Sequence, residues 1–133
     1  MTSPDSRSYR AQGVVLRHME YGEADRILTI YTLEYGKVQA IAKGIRKLQS
    51  RKAGHLEPFS RVELMLAKGR NLDVISQAQA QNTYEHLRSD LKLIAYAAYV
   101  VELLDRFTYE EGENRLLFNL LVDTLARLDE GAP

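Results

Sequence analysis

The chain has no cysteine among its 133 residues. Neither a disulfide framework nor a thiolate metal site can therefore form. No apolar run approaches the roughly 20 residues that a helix needs to cross a bilayer. The opening MTSPDSRS also lacks the apolar stretch of a signal peptide. We expect a soluble, intracellular protein of one domain, or of two very small domains that share an interface.

The sequence signatures of common catalytic sites are missing as well. There is no P-loop and no GxGxxG, and no serine sits in a nucleophile elbow. The three histidines are far apart and have no metal-ligand spacing. Glu20, Glu23 and Asp25 could supply paired carboxylates for a hydrolase, but acidic residues in a hairpin turn are usually solvated and chosen for turn geometry. We predict a protein that is not an enzyme and that uses neither a cofactor nor a metal.

Charge is unevenly divided along the chain, although the 18 basic and 18 acidic residues cancel. Residues 1–80 hold 13 Lys/Arg against 8 Asp/Glu, whereas residues 81–133 hold 5 against 10. The first part is thus +5 and the second −5, which makes the first part the candidate to bind a polyanion. The alternative is a chance asymmetry combined with an acidic helical surface.

The first part has the pattern of short β-strands separated by turns. β-Branched and aromatic residues alternate with polar ones, and YGEAD, EYGK and GRN read as turns. Such a series, with one long connection between its third and fourth strands, predicts a closed five-stranded barrel of the OB type. An open meander packed on helices is the alternative. The predicted strands are residues 10–19, 26–33, 37–44, 60–68 and 72–79.

The apolar period becomes helical after about residue 84, so the predicted fold class is α+β. A helix that is apolar over more than half its circumference should be buried on two sides, against the barrel and another helix. One apolar row consists of Leu87, Leu91, Ile94, Ala98 and Val101, and a second of Leu93, Tyr96, Val100, Leu103 and Phe107.

A second helix is predicted after EEGEN (110–114), with Asn114 as its N-cap. Its expected buried face consists of Leu117, Leu120, Leu121, Leu125 and Leu128.

The segment KGIRKLQSRKAGH (43–55) is the strongest functional feature of the sequence. It carries five cations, Lys43, Arg46, Lys47, Arg51 and Lys52, and no acid. Cations on a connecting segment bind phosphates without reading bases, so the expected binding is salt-sensitive and tolerant of sequence. The alternative is a solvated connection between strands.

Further cations and aromatic residues are predicted to lie near this segment. Lys37 begins the third strand, and Lys68 and Arg70 flank the turn between the fourth and fifth. In an OB-fold this turn and the faces of strands two and three line the usual binding groove. Aromatic rings there could stack on bases, although a tyrosine on a strand is more often a core residue. The candidate rings are Tyr31, Tyr35 and Phe59.

The run GVVLRHMEYGEADRILTIYTLEYGKVQAIAKGIRK (13–47) resembles the N-terminal domain of the RecO family of bacterial recombination mediators. The resemblance continues through HLEPFSRVELMLAKGRNLDVISQAQ (55–79) and LRSDLKLIAYAAYVVELLDRFTYEEGENRLLFNLL (87–121). It covers nearly the whole chain after residue 9, and the ordered succession YGEADRILT, GKV, AKG, PFS, GR-LD and A-Y-ELLDR is specific.

The resemblance implies an OB-fold DNA-binding domain (1–80) and a helical domain of which residues 81–133 hold the first helices, because family members are longer. It also implies binding of single- and double-stranded DNA, annealing of complementary strands and loading of RecA in the bacterial cytoplasm, at the nucleoid. The implied partners are RecR, the acidic tail of single-strand binding protein and, indirectly, RecA. The alternative is a scaffold that docks RecR or single-strand binding protein and has little DNA affinity. The DNA-contacting residues implied are Lys37, Lys43, Arg46, Lys47, Arg51, Lys52 and Arg70.

Overall fold

The computed structural model of the chain describes residues 7–47, 53–109 and 112–131. Among these residues five strands come first and three helices follow, and a 3-10 turn (Ala53–His55) lies between the third and fourth strands. The strands are β1 (Ser8–Tyr21), β2 (Asp25–Thr32), β3 (Gly36–Ala42), β4 (Arg61–Ala67) and β5 (Asp73–Asn82). The helices are α1 (Glu85–Arg88), α2 (Leu91–Phe107) and α3 (Arg115–Asp129).

The five strands close into a barrel in the order β1-β2-β3-β5-β4. Closure depends on the length of β1, because its first half pairs with β4 and its second half pairs with β2. The β3–β5 pair is parallel, with Ala40 opposite Asp73 and Ile41 opposite Val74, and the other pairs are antiparallel. The predictions of an OB-type barrel and of the α+β class are confirmed, and the open meander is wrong.

Side chains at alternate positions of the strands point inward and fill the barrel. On β4, Val62, Leu64 and Leu66 are at most 1% exposed, whereas the residues between them are partly exposed. Successive side chains of a strand point to opposite faces. The apolar residues at alternate positions of β4 therefore form a buried inner face. Burying such a side chain stabilises the fold by roughly 1.5–3 kcal/mol. The barrel core is formed by Ala11, Val15, Leu28, Ile30, Ala40, Ala42, Ile45, Leu56, Val62, Leu64, Leu66 and Ile75.

A second core joins the barrel to the helices. The pairing of β1 with β2 shifts in register between Val15 and Arg17, so Leu16 is the extra residue of a β-bulge. Leu16 and Val14 lie on the outer side of the barrel, where they pack in one cluster with Tyr31 and with side chains of the helices. The barrel and the helices therefore form a continuous hydrophobic structure.

The first predicted helix is divided into α1 and α2. Asp90 has extended backbone angles, and its side chain accepts a hydrogen bond from the Lys92 backbone N–H at 2.9 Å. This N-cap begins a new helix at Leu91, which is 84% exposed. The prediction that Leu87 and Leu91 belong to one buried row is therefore wrong for Leu91.

The expectation that α2 packs on the barrel and on another helix is confirmed, but α2 is buried over less of its circumference than predicted. Its buried residues, Leu93, Ala97 and Val101, recur every four positions and form one stripe toward the second core. Ile94, Val100 and Leu104 are half-buried and also pack against the second core, whereas the remaining apolar side chains of α2 are exposed. The exposed members of the predicted rows on α2 are Leu91, Ala98, Tyr96, Leu103 and Phe107.

The third helix begins as predicted, because the Asn114 side chain accepts a hydrogen bond from the Leu117 backbone N–H at 3.1 Å. Its buried face is offset from the predicted one. Leu120 is 61% exposed, whereas Phe118 is 2% exposed. At 100° per residue, Phe118, Leu121 and Leu125 lie on one side of the helix, whereas Leu120 lies on the side that faces solvent.

We predict that Leu125→Ala destabilises the protein by about 2–5 kcal/mol, because Leu125 is 0% exposed and its truncation leaves a cavity between α3 and the rest of the second core. The matched control is Leu120→Ala on the same helix, where the exposed side chain should contribute less than about 0.5 kcal/mol. Urea unfolding followed by circular dichroism measures both. Equal losses in the two variants would contradict the position of the second core.

Candidate nucleic-acid interface

The outer face of β1, β2 and β3 is the surface that OB-folds commonly use for ligands. Leu28 and Ile30 point into the barrel, so residues of the opposite parity point outward. The strand register then arranges the outward side chains in three rows across the strands. The first row is Val14–Tyr31–Lys37, the second is Arg17–Thr29–Gln39 and the third is Met19–Ile27–Ile41.

The helices cover the first row. Tyr31 is 2% exposed and lies in the second core, so its ring offers no face to a base and its predicted role in stacking is not supported. The Lys37 ammonium donates to the Asp105 carboxylate at 2.8 Å and to the Asp105 backbone carbonyl at 2.7 Å. Since the Lys37 side chain is 12% exposed, this cation holds the end of α2 and is not available to a phosphate, contrary to the prediction.

Asp105 is the point at which α2 is attached to the barrel by charge. In addition to Lys37, the Arg17 guanidinium donates to its carboxylate at 2.6 Å. Burial alone would raise the pKa of Asp105, but the hydrogen bonds from Lys37 and Arg17 hold that pKa below its ordinary value. One carboxylate thus engages two barrel cations, one from the first row and one from the second.

The described helices leave the third row open. Along β3 this surface continues to Lys43 and Lys47, which belong to the basic segment KGIRKLQSRKAGH (43–55). Met19 is 56% exposed and Tyr21, two residues further on the same side of β1, is 53% exposed. Ile27 and Ile41 are partly exposed. We call this surface, with the exposed residues that border it, the open face: Met19, Tyr21, Ile27, Gln39, Ile41, Lys43 and Lys47.

Lys43 and Lys47 are the predicted cations that border the open face. Lys43 follows the last residue of β3, Lys47 lies in the turn after it, and both are exposed. Neither forms an ion pair with any described residue. An apolar surface with a tyrosine ring and two unpaired cations has the two features that single-stranded nucleic acids require, namely a stacking surface and phosphate neutralisation.

Arg46 differs from its neighbours because it is bound to the β1–β2 hairpin. Its guanidinium donates to the carbonyl of Gly22 at 2.6 Å and to that of Asp25 at 3.2 Å, and it pairs with Glu20 at 3.2 Å. The Asp25 carboxylate accepts from the Gly44 backbone N–H at 2.7 Å. These contacts hold the turn after β3 against the hairpin, so Arg46 has a structural role.

Two acidic residues of this hairpin, Glu20 and Asp25, have structural partners. Glu20 accepts hydrogen bonds from Arg26 at 3.2 and 3.3 Å, and these bonds hold the pKa of its carboxyl below the ordinary value. Glu20 and Asp25 therefore stabilise the turn, which is the use that turn geometry favours for such residues.

Lys68 and Arg70 lie toward the other end of β3. The parallel pairing of Ala40 with Asp73 directs the turn between β4 and β5 toward the start of β3, near Lys37. Lys43 lies six residues further along, or about 20 Å at 3.3 Å per residue. The predicted single cluster of cations is therefore divided between two ends of the barrel.

Tyr35 and Phe59, the remaining predicted aromatic residues, have different surroundings. Tyr35 is 45% exposed, and its ring centroid lies 4.9 Å from that of Tyr9 in an edge-to-face arrangement. Phe59 is 9% exposed and packs in the second core, with the Arg88 guanidinium 5.8 Å from its ring centre. Stacking of a base on Phe59 is not supported, whereas for Tyr35 it stays a prediction.

Two of the predicted cations, Arg51 and Lys52, lie outside the described residues. Within residues 7–47, 53–109 and 112–131, no group of three or more His, Asp or Glu side chains is arranged to hold a metal ion. None of the helices in this part of the chain has the length and apolarity needed to cross a membrane.

Tyr21 and Tyr9 are the site residues that sequence reasoning missed. Tyr21 was read as part of a turn, but β1 extends to it, and its spacing of two from Met19 is the signal that assigns it to the same face. Tyr9 precedes the predicted first strand, and its position beside Tyr35 depends on the pairing of β1 with β4.

The fold and the outer face define a class of protein: an OB barrel with a helical segment packed on part of the face that OB-folds commonly use for ligands. Two family models match the chain, "Recombination protein O N terminal" over residues 6–84 and "Recombination protein O C terminal" over residues 88–133. The chain belongs to the RecO family of DNA repair proteins.

Relatives named DNA repair protein RecO support this assignment. The protein from Roseiflexus sp. (strain RS-1) is 45% identical over 95% of this chain and 44% of its own length. The protein from Pelotomaculum thermopropionicum is 44% identical over 92% of this chain and 48% of its own length. The chain thus spans about half the length of these relatives. Among solved structures, a chain of the S. pombe Stn1-ten1 complex is 13% identical over 77% of this chain and 79% of its own, with a TM-score of 0.43.

We predict that Asp105→Asn lowers the free energy of unfolding at pH 7 by about 1–3 kcal/mol, because it weakens two charged hydrogen bonds. The pKa of Asp105 is below its ordinary value of 3.8 in the folded state. The advantage of the wild type is therefore present above that value and is lost as the pH falls through the folded-state pKa.

Urea unfolding between pH 7 and pH 2 measures this difference, with Asp123→Asn on the exposed side of α3 as the control. The control should match the wild type at pH 7. A gap between wild type and Asp105→Asn that stays constant down to pH 2 would contradict the role of the charged pair.

Proposed function

We propose that this chain is the DNA-binding part of a recombination mediator of the RecO family, which binds single- and double-stranded DNA. The observation that carries the proposal is the open face, where Lys43 and Lys47 are exposed without acidic partners among the described residues. Membership of a family of DNA repair proteins supports the same function.

The open face suits binding that ignores base sequence. Its apolar part consists of Met19, Ile27 and Ile41, and its ring is Tyr21. Every base has a flat apolar surface that can rest on such residues, and side chains of this kind make few base-specific hydrogen bonds. Cations near the end of β3 then neutralise the phosphates, and the release of counterions supplies the affinity.

The same electrostatics gives a mechanism for annealing. Two complementary strands repel one another through their phosphates, and a surface that neutralises part of this charge lowers the repulsion when both strands are bound. We include strand annealing and the loading of RecA in the proposed function. The proposed partners are RecR and the acidic tail of single-strand binding protein, and the proposed location is the bacterial cytoplasm, at the nucleoid.

A second candidate function is protein docking by the helices. Tyr99 is 64% exposed and Phe107 is 77% exposed on α2, and Leu116 is 82% exposed on α3. Exposed apolar side chains in such number are typical of interaction surfaces. On this alternative the chain would bind RecR or single-strand binding protein in a pull-down but would fail to shift labelled DNA in a gel.

We predict that the double variant Lys43→Glu/Lys47→Glu weakens binding of an oligothymidylate by about 10-fold or more, because two attractive charges become repulsive. The matched control is Lys92→Glu/Arg127→Glu, which makes the same change in net charge at exposed positions on the helices. Fluorescence anisotropy with labelled DNA measures both. An equal loss of affinity in the control would show that only the net charge of the protein matters. No loss of affinity in either variant would contradict binding of DNA at the open face.

We also predict a steep dependence of affinity on salt. For single strands, log K falls with log[salt] by about 0.7 for each phosphate neutralised. The Lys43→Glu/Lys47→Glu variant should therefore have a slope shallower by about 1.4 than that of the wild type. Titrations between 50 and 300 mM KCl give the two slopes. A wild-type slope near zero would contradict the proposal that contacts with phosphates supply the affinity.

A further inference from the structure

We propose that the barrel carries a second site for single-stranded nucleic acid, separate from the open face, and this inference rests on the proposed function. We call it the Tyr35 platform, formed by Tyr9, Tyr35, Lys68 and Arg70. It lies where the β2–β3 turn, the start of β1 and the β4–β5 turn meet. Its ligand would be an unpaired base with the phosphates on either side.

The rings of the platform are in a fixed arrangement. The centroids of Tyr9 and Tyr35 are 4.9 Å apart and their planes meet at 75°. An edge-to-face pair leaves ring surface uncovered, and Tyr35 is 45% exposed. The uncovered part of the Tyr35 ring can take a base by stacking, which contributes about 1–3 kcal/mol per base in single-strand binding proteins.

Hydrogen bonds hold both tyrosines in place before any ligand binds. The Tyr9 hydroxyl donates to the Asp73 carboxylate, and burial together with this bond raises the pKa of Tyr9. The Tyr35 backbone N–H donates to the Thr32 hydroxyl at 3.0 Å, which in turn donates to the Gly36 carbonyl at 2.7 Å. A platform that is ordered in advance loses little entropy on binding.

One cation lies against the rings of the platform, and further cations lie close to it along the chain. The Lys68 ammonium lies 5.4 Å from the centre of the Tyr9 ring. Arg70 is exposed two residues further along the turn, and the exposed Arg7 is joined to Lys68 through a backbone hydrogen bond. Asp73, the first residue of β5, accepts from the Tyr9 hydroxyl and the Gly69 backbone N–H. Glu34 precedes Tyr35 and accepts from the Gln12 backbone N–H. Three cations thus accompany two carboxylates, and the balance of charge at the platform is positive.

The docked helices separate the platform from the open face. Lys37, at the start of β3, is covered by Asp105 of α2. Beside it, a side chain at Gly36 would collide with the backbone carbonyl of Gly112, so Gly112 also packs there. The rings of the platform and the cations of the open face thus lie toward opposite ends of β3, where Lys37 and Lys43 are about 20 Å apart, and the Lys37–Asp105 contact lies between them. Two short strands can bind one barrel at once, which is what annealing requires.

The test is to count the short strands that one chain binds. An oligothymidylate of about six nucleotides is long enough for one surface of an OB barrel, and calorimetric titration of the full chain gives the number bound. We expect two per wild-type chain, and one for Tyr35→Ser/Lys68→Glu. The Lys43→Glu/Lys47→Glu variant should also bind one, and the four changes together should bind none.

The matched control is Tyr99→Ser/Lys92→Glu on α2, which removes an exposed tyrosine and reverses one charge away from the platform. It should still bind two oligonucleotides. Tyr35→Phe keeps the ring and should also bind two, which separates stacking from the hydroxyl.

The outcomes distinguish this inference from the proposed function. One oligonucleotide per wild-type chain, lost in Lys43→Glu/Lys47→Glu and kept in Tyr35→Ser/Lys68→Glu, would overturn the second site and leave the proposed function intact. No binding by the wild type would overturn both. If Tyr35→Ser/Lys68→Glu unfolds the chain, the number of oligonucleotides bound by the wild type still shows whether a second site exists. A weaker second binding step in Arg70→Glu would then locate that site at the platform.

Discussion

The attachment of α2 to the barrel through Asp105 decides what the rest of the surface can do. Its carboxylate holds Lys37 and Arg17 at 2.8 and 2.6 Å, and the second core lies beneath the same contact. An OB barrel by itself would present the whole outer face of β1–β3 to a ligand. Here the helices occupy its first row and bind a cation of its second, so the part of this face that stays open lies near the end of β3.

This division separates the cations that are bound within the protein from those without a partner among the described residues. Lys37 and Arg46 are bound to other parts of the chain and hold elements together, whereas Lys43 and Lys47 have no described acid beside them. A cation already paired with a carboxylate gains little from a phosphate, because the first partner must be given up. Counting basic residues in the sequence therefore overstates the charge available to DNA, and the geometry around each cation determines its role.

The sequence predicts the barrel well, because strand formation depends on local alternation and on turns such as EYGK. It predicts the site less well. The contact that sequesters Lys37 joins residues 68 positions apart, and no local pattern records it. Tyr31 and Phe59 are candidates for base stacking from the sequence, but the helices bury them in the second core. Tyr21 was within reach of sequence reasoning, because only the end of β1 had to be placed two residues later.

Chemical-shift mapping of the 15N-labelled chain with an oligothymidylate tests most directly the claim that DNA binds beside the docked helices and not beneath them. The account predicts that amide signals shift at Met19–Tyr21 and from Gln39 to Lys47, while those of Tyr31 and of α2 around Asp105 stay in place. A main response at Lys37, Asp105 and the buried face of α2 would contradict it, since DNA would then be displacing the helix from the barrel.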